Sequence, residues 1–208
     1  FTTNINDILD DEEISIIVEC MGGEDYPRFC ITQSLLKGKT VVTSNKEVLA
    51  KHWSEFETAA KSTGAGLYHE GTVGGGIPIL RTITDSMQAN NITDIMGIIN
   101  GTTNYILSRM TSEGLQFDAA LAEAQRLGFA EADPTADVDA WDATYKLSIL
   151  ASMAFHAHIP IEYIYREGIA KITAQDIKIA NELGYEIKLL AIGKKRGTAI
   201  EVRVHPTM

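Results

Sequence analysis

Cysteine is scarce in this 208-residue chain: Cys20 and Cys30 are the only two. Two thiols build neither a disulfide framework nor a zinc site, and they suit a reducing compartment, the cytoplasm. Basic residues are also in deficit, with 18 Lys and Arg against 28 Asp and Glu and a formal net charge of -10. That balance argues against a nucleic-acid binder, whose phosphate contacts need clustered cations. The one dense basic cluster, Lys194, Lys195 and Arg196, precedes Gly197 between two apolar segments and reads as a hairpin turn. Long apolar runs are missing as well. The longest is "LSILASMAF" (147–155), well short of the roughly 20 residues of a membrane span. The N-terminus "FTTNINDILDDEE" is acidic, carries no apolar signal-peptide core and lacks an initiating methionine, so the chain is expected to be cut from something longer.

What is present is a folded composition, 45% apolar, with alternating periodicities. "ISIIVECMG" (14–22) and "TVVTSN" (40–45) are β-branched runs that suit buried parallel strands, and "AGLYHEG" (65–71) is a third. Between them, residues 26–39 carry a broad apolar helical face with Pro27 in the first turn and Gly38 at the stop. Residues 46–64 place Leu49, Trp53, Phe56 and Ala60 at core spacing. The β-α-β-α-β order implies a parallel sheet with right-handed crossovers.

The pattern changes near residues 70–75. A helix is expected from Pro78 to about Met87, a strand over 91–100, and helices over 101–114 and 117–128, the last capped by Asp118. A long helix from about Val138 to Phe155 follows, then a helix capped by Thr173 and Asp176 and ending at Gly184. "YEIKLLAIGKKRGTAIEVRVHP" closes as a β-hairpin. The fold class is α/β: a partial Rossmann-like parallel sheet over residues 1–71, then an α+β unit over 72–208 with a mixed sheet covered by helices.

Three stretches carry chemistry-bearing residues. In "GFAEADPTADVDAWDATYKL" (128–147), five acids (Glu131, Asp133, Asp137, Asp139, Asp142) precede a single lysine, Lys146. At helical spacing Asp139, Asp142 and Lys146 share a face, and that face runs on into Ile149, Leu150 and Met153. The charges therefore stand at the mouth of a buried helix. They form either a surface ion pair or a site where a held lysine donates a proton and carboxylates bind a polar substrate. "EGTVGGGIP" (70–78) fits neither G-x-G-x-x-G nor the phosphate-loop pattern, which leaves a tight turn or a loop of carbonyls binding a hard cation. In "VTSNK", Asn45 is either simply a helix cap beside a solvated Lys46, or Lys46 reaches an anion at the carboxyl end of a parallel strand. Gly22 and Gly23 occupy the equivalent edge after the first strand.

Taken in order, "VVTSNKEVLA", "HEGTVGGGIPIL", "INGTTNYIL", "RLGFAEADPTADVDAWDATYKLSIL" and "VRVHPTM" resemble homoserine dehydrogenase along nearly the whole chain. The resemblance implies reduction of L-aspartate 4-semialdehyde to L-homoserine with NADP or NAD as cofactor, and a homodimer. It implies that Lys146 is the proton donor. Gly128, Glu131, Asp142, Gly101 and Thr102 stand at substrate-binding positions, and Asp137 is a supporting carboxylate. Gly22, Gly23 and Lys46 face the cofactor, and Glu70, Val73, Gly75 and Ile77 give backbone oxygens to a sodium ion. The sequence departs from the family in lacking its opening strand with G-x-G-x-x-G and its glycine-rich C-terminal return. It also has Phe129 where some relatives have tyrosine. The expectation is a piece that keeps the substrate framework and loses much of its cofactor affinity. The alternatives are a non-catalytic dimerising or ligand-binding module, and a dehydrogenase of another amino acid. A small-molecule substrate is expected, with no nucleic acid and no membrane as partner.

Overall fold

A computed structural model describes residues 1–208. The β-branched runs form strands only where a neighbour is in register to complete the ladder. β1 (Ile16–Glu19) and β2 (Thr40–Thr43) pair in parallel with Val18 opposite Val42, and β3 (Leu67–Tyr68) joins the far side of β2. Parallel neighbours need crossovers, and α2 (Asp25–Leu36) and α3 (Lys46–Thr63) supply them. Both helices lie on one face, where Val41 is buried with Ile31, Leu35, Leu49 and Phe56. Ile16, Val18 and Val42 are exposed on the other. The alternating order read from the sequence is present, with every strand shorter than its apolar run. A one-turn helix, α1 (Asn6–Leu9), was not anticipated in the acidic N-terminus.

After β3, a single 3-10 turn (Glu70–Thr72) opens the glycine loop. α4 (Ile79–Arg81) then runs into a π turn (Thr82–Ser86), matching the helix expected after Pro78. β4 (Asp94–Gly97) is followed by α5 (Gly101–Glu113) and α6 (Phe117–Arg126). Asp118 does not cap α6; Gln116 holds that position, and Asp118 sits in the first turn, where its charge still complements the helix dipole.

The long helix expected from Val138 is broken. α7 (Thr135–Val138) ends and α8 (Trp141–Phe155) begins across Ala140, which adopts a left-handed φ of 65°. The cause lies elsewhere in the chain. The backbone N–H of Ile169 takes the carbonyl of Val138 at 2.8 Å, and Arg166 donates to the carbonyl of Asp139 while its guanidinium lies 3.7 Å from the Trp141 ring centre. A continuous helix would need those carbonyls for itself. In consequence Asp139 falls outside α8 and does not share the Asp142–Lys146 face.

β5 (Tyr165–Arg166), too short to be read from sequence, pairs in parallel with β7 (Ala199–Thr207). β6 (Lys188–Arg196) and β7 form the expected hairpin, turning at Gly197 with φ 61°. The second sheet runs β4-β6-β7-β5 and is mixed. α9 (Ala174–Glu182) starts with both bonds of the Thr173–Asp176 capping box. This is the partial Rossmann-like sheet plus helix-covered mixed sheet that the sequence implied.

α8 is apolar nearly all round because two cores share it. Leu147, Ala151 and Phe155 face the second sheet, where Phe155 covers Gly193. Tyr145, Ile149 and Leu150 join the α2–α3 core instead. The N-terminal end of α8 therefore lies between the two units, and the charged cluster lies there with it. No helix is long and apolar enough to cross a membrane.

Candidate active site

Four chain segments meet at the start of α8. Lys146 Nζ donates to Asp142 Oδ2 at 2.7 Å and to the carbonyl of Ile99 at 3.0 Å; its side chain is 19% exposed. Asp142 Oδ1 faces Lys46 Nζ at 3.2 Å, so one carboxylate stands between a lysine of α8 and a lysine of α3. Asn100, the N-cap of α5, donates its amide hydrogens to Asp142 Oδ2 (2.9 Å) and Asp137 Oδ1 (2.7 Å). The structure thus gathers Lys46, Asp137, Asp142 and Lys146 around Asn100.

Burial works against ionisation of Asp142, which is 8% exposed. The Lys146 ammonium, the Asn100 amide and the Lys46 charge more than offset it and hold the carboxyl below the usual aspartate range. The pair is neither the fully solvated surface bridge nor an unpaired buried charge. Its acceptor stays an anion because cations and an amide surround it.

A second rim is built from α5 and the loop after α6. Thr102 Oγ1 donates to the carbonyl of Phe129 at 2.8 Å, and the Phe129 ring lies 4.6 Å from that of Tyr105. Gln125 Nε2 donates to the carbonyls of Glu131 and Ala132 at 3.1 and 3.3 Å. These bonds hold Gly128 (φ 79°), Phe129 and Glu131 beside Gly101 and Thr102. The Glu131 side chain is exposed and makes no ion pair or hydrogen bond with the lysine cluster, so the structure does not join it to Lys146 and Asp142.

The third side is the carboxyl edge of the parallel sheet. Asn45 caps α3 by accepting from Val48 N–H at 3.2 Å, and its amide donates to the carbonyl of Gly23 at 3.0 Å. The Gly22–Gly23 loop is tied in this way to the base of Lys46. Glu19, 2% exposed, backs the junction by accepting from Thr43 Oγ1 at 2.5 Å and from Met21 N–H at 2.6 Å. Nothing lies within 4 Å of a side-chain position at Gly22 or Gly23, and Gly23 has φ 84°, so a ligand can approach this backbone closely. Across the same seam Lys51 donates to Glu24 and Glu47, both at 2.6 Å, and Tyr145 of α8 donates to Glu47 at 3.3 Å.

In the glycine loop, the Glu70 carboxylate accepts from Leu80 and Arg81 N–H (3.1 and 2.9 Å) and caps α4. The carbonyl of Ile77 accepts from Ile79, while those of Glu70, Val73 and Gly75 accept no hydrogen bond within the chain. No group of three or more His, Cys, Asp or Glu is placed to hold a metal ion.

Sequence reasoning missed Asn100, Ile99, Glu19 and Gln125. Asn100 precedes a helix and is legible as a cap. Its contact with two carboxylates about forty residues away in sequence is not.

Residues 1–70 match the NAD binding domain of homoserine dehydrogenase, and residues 78–208 match the homoserine dehydrogenase domain proper. The chain belongs to the homoserine dehydrogenase family. It is 47% identical over 211 residues to the homoserine dehydrogenase of Synechocystis sp., covering 100% of this chain and 49% of that one. The solved structure of a homoserine dehydrogenase from Thiobacillus denitrificans superposes with a TM-score of 0.96 at 48% identity, over 99% of this chain and 48% of the other. A hyperthermophilic archaeal homoserine dehydrogenase in complex with NADPH superposes at 0.83 with 29% identity, over 100% of this chain and 60% of that one. The chain spans about half the length of the curated relatives it matches.

Proposed function

We propose that this chain carries the substrate framework of a nicotinamide-dependent oxidoreductase that interconverts L-aspartate 4-semialdehyde and L-homoserine, in the biosynthesis of threonine and methionine. One observation carries the reading. An ammonium has three N–H donors, and Lys146 spends two, on Asp142 and Ile99. The third is free at the mouth between the two units.

An aldehyde carbon that accepts hydride leaves charge on its oxygen, and a donor aimed at that oxygen stabilises the transition state. Lys146 is that donor: its remaining N–H serves the carbonyl oxygen and its proton completes the alcohol. Asp142 holds the lysine in place. Asp137 accepts from Asn100 through Oδ1 alone, which leaves Oδ2 for the substrate ammonium, and the exposed Glu131 carboxylate on the loop after α6 is available as a second partner. Gly101, Thr102 and Gly128 offer the small, backbone-lined rim that an amino-acid substrate needs. Gly22, Gly23 and Lys46 fit a nicotinamide cofactor, NADP or NAD, at the carboxyl edge of the parallel sheet. When bound, that cofactor supplies the hydride.

Sodium fits the glycine loop. Val73 is 2% exposed, yet its carbonyl, with those of Glu70 and Gly75, has no donor in the chain. Oxygen ligands of this kind suit a hard cation. A homodimer fits the second sheet, whose face away from the helices exposes Met96 (63%) and Tyr165 (60%), with Leu190 half-buried between them. The free thiols Cys20 and Cys30 suit the cytoplasm.

The direct test is reduction of L-aspartate 4-semialdehyde by this chain at saturating NADPH, followed as loss of the reduced cofactor. Turnover with homoserine as product supports the reading. Binding of homoserine with no turnover at any cofactor concentration leaves a ligand-binding module instead.

A further inference from the structure

We infer that Asn100 is a positioning residue of the proton-donating site, holding Asp142 and Asp137 so that Lys146 keeps one donor free; the inference rests on the reading of Lys146 as the proton donor.

The orientation of the Asn100 amide is forced. Its Oδ1 accepts from the backbone N–H of Thr103 at 2.8 Å and from Thr103 Oγ1 at 2.8 Å. A backbone N–H can only donate, so the amide oxygen must face Thr103 and the NH2 must face away. Both of its hydrogens then meet carboxylates, Asp137 Oδ1 and Asp142 Oδ2, on opposite sides of the Ala140 break. Asn100 is 5% exposed, so these bonds compete little with water.

The Asp142 oxygen that accepts from Asn100 is the one that accepts from Lys146, and the carbonyl of the preceding residue, Ile99, takes a second Lys146 hydrogen. The dipeptide Ile99–Asn100 therefore sets both the lysine and its carboxylate. Helix capping alone does not require this residue: Ser, Thr and Asp cap as well. Only an amide combines one acceptor for Thr103 with two donors for two neighbouring anions. The charged and titratable groups around it are Asp137 of α7, Asp142 and Lys146 of α8, and Lys46 of α3.

Asn100→Asp separates the two roles. The carboxylate still accepts from Thr103 and caps α5, while its other oxygen replaces two donors with an acceptor facing two anions. The expected result is a kcat at least about tenfold lower, with KM for the cofactor unchanged. Part of that loss should return on acidification, because a proton taken up by the introduced carboxyl restores one O–H donor. The unsubstituted chain should show no such acid recovery. A residue that only capped α5 would leave kcat and its pH profile as they were, and that result overturns the inference. Should Asn100→Asp fold poorly, Asn100→Ser keeps a capping oxygen, adds no charge and reaches neither carboxylate; lost turnover without acid recovery supports the role, and full turnover overturns it. A readout free of turnover separates this claim from the enzymatic reading. In Asn100→Ser, acylation of Lys146 by an amine-reactive reagent, quantified by peptide mass spectrometry, should run at least about threefold faster than in the unsubstituted chain. An unchanged rate overturns the positioning role even if the chain proves active. An accelerated rate in a chain with no turnover upholds the structural claim and removes the enzymatic one.

Discussion

Asp142 Oδ2 lies 2.7 Å from Lys146 Nζ one turn along α8, while Oδ1 of the same carboxylate lies 3.2 Å from Lys46 on α3. A single buried anion thus joins the helix of the candidate proton donor to α3, the helix that follows β2 at the parallel sheet's carboxyl edge. The expected consequences of that arrangement differ from those of an ordinary i,i+4 surface pair, which contributes roughly 0.2–0.5 kcal/mol.

Asp142→Asn keeps the shape and removes the charge. Hydrogen bonds to charged groups are worth about 1.5–3 kcal/mol each; Asp142 Oδ2 accepts one from Lys146 and Oδ1 forms an ion pair with Lys46. Urea unfolding should show a loss of at least about 1.5 kcal/mol, and turnover should fall about a hundredfold or more. A stability change near that of a surface pair would mean the cluster is solvated.

The acid limb of stability follows from the same residue. The folded pKa of Asp142 lies below the unfolded value of about 3.9. Its contribution is therefore present above about pH 4 and is lost as the pH falls through the lower folded value. Urea midpoints measured from pH 6 down to 2.5 should fall more steeply in the unsubstituted chain than in Asp142→Asn. Equal slopes would remove Asp142 from the account.

Gly168→Ala tests the break between α7 and α8. An added Cβ at Gly168 would collide with the carbonyl of Val138 and come within 2.8 Å of the Cα of Asp139, both backbone atoms that cannot swing aside. Overpacking of this kind costs about 1–3 kcal/mol. The displacement would reach Asp137 and Asp142 on either side of the break, so a lowered melting temperature and weaker homoserine binding are expected together. Unchanged binding would show that the break does not set the site.

Sodium binding at the glycine loop predicts a higher melting temperature in sodium chloride than in choline chloride at equal ionic strength. At ten times the dissociation constant, one site contributes about 1.4 kcal/mol. Equal melting temperatures in the two salts would argue for a turn that binds no cation.

The open face of the second sheet predicts self-association. Met96→Glu places a charge on the exposed face of its edge strand β4 and should shift the mass found by light scattering from two chains to one. A monomer before substitution would end the homodimer proposal.

Much of this molecule was legible because periodicity reports local constraints. Leu49 and Phe56 are buried where helical spacing put them, and Thr173 with Asp176 forms the capping box that its spacing implied. The illegible parts depend on residues distant in sequence. Nothing near Ala140 announces a break, because Arg166, Gly168 and Ile169 impose it. β5 is two residues long and exists only because β7 lies beside it. In the candidate site, the i,i+4 spacing of Asp142 and Lys146 was visible, but the convergence of Lys46 and Asn100 on the same carboxylate required the fold.

The most direct test is steady-state kinetics of Lys146→Ala with L-aspartate 4-semialdehyde, alongside circular dichroism and light scattering. The account predicts that kcat drops by about a thousandfold or more while secondary structure, mass and cofactor KM stay as they were. Turnover within a few-fold of the unsubstituted chain would contradict it, since the ammonium held by Asp142 and Ile99 would then not be the group that delivers the proton.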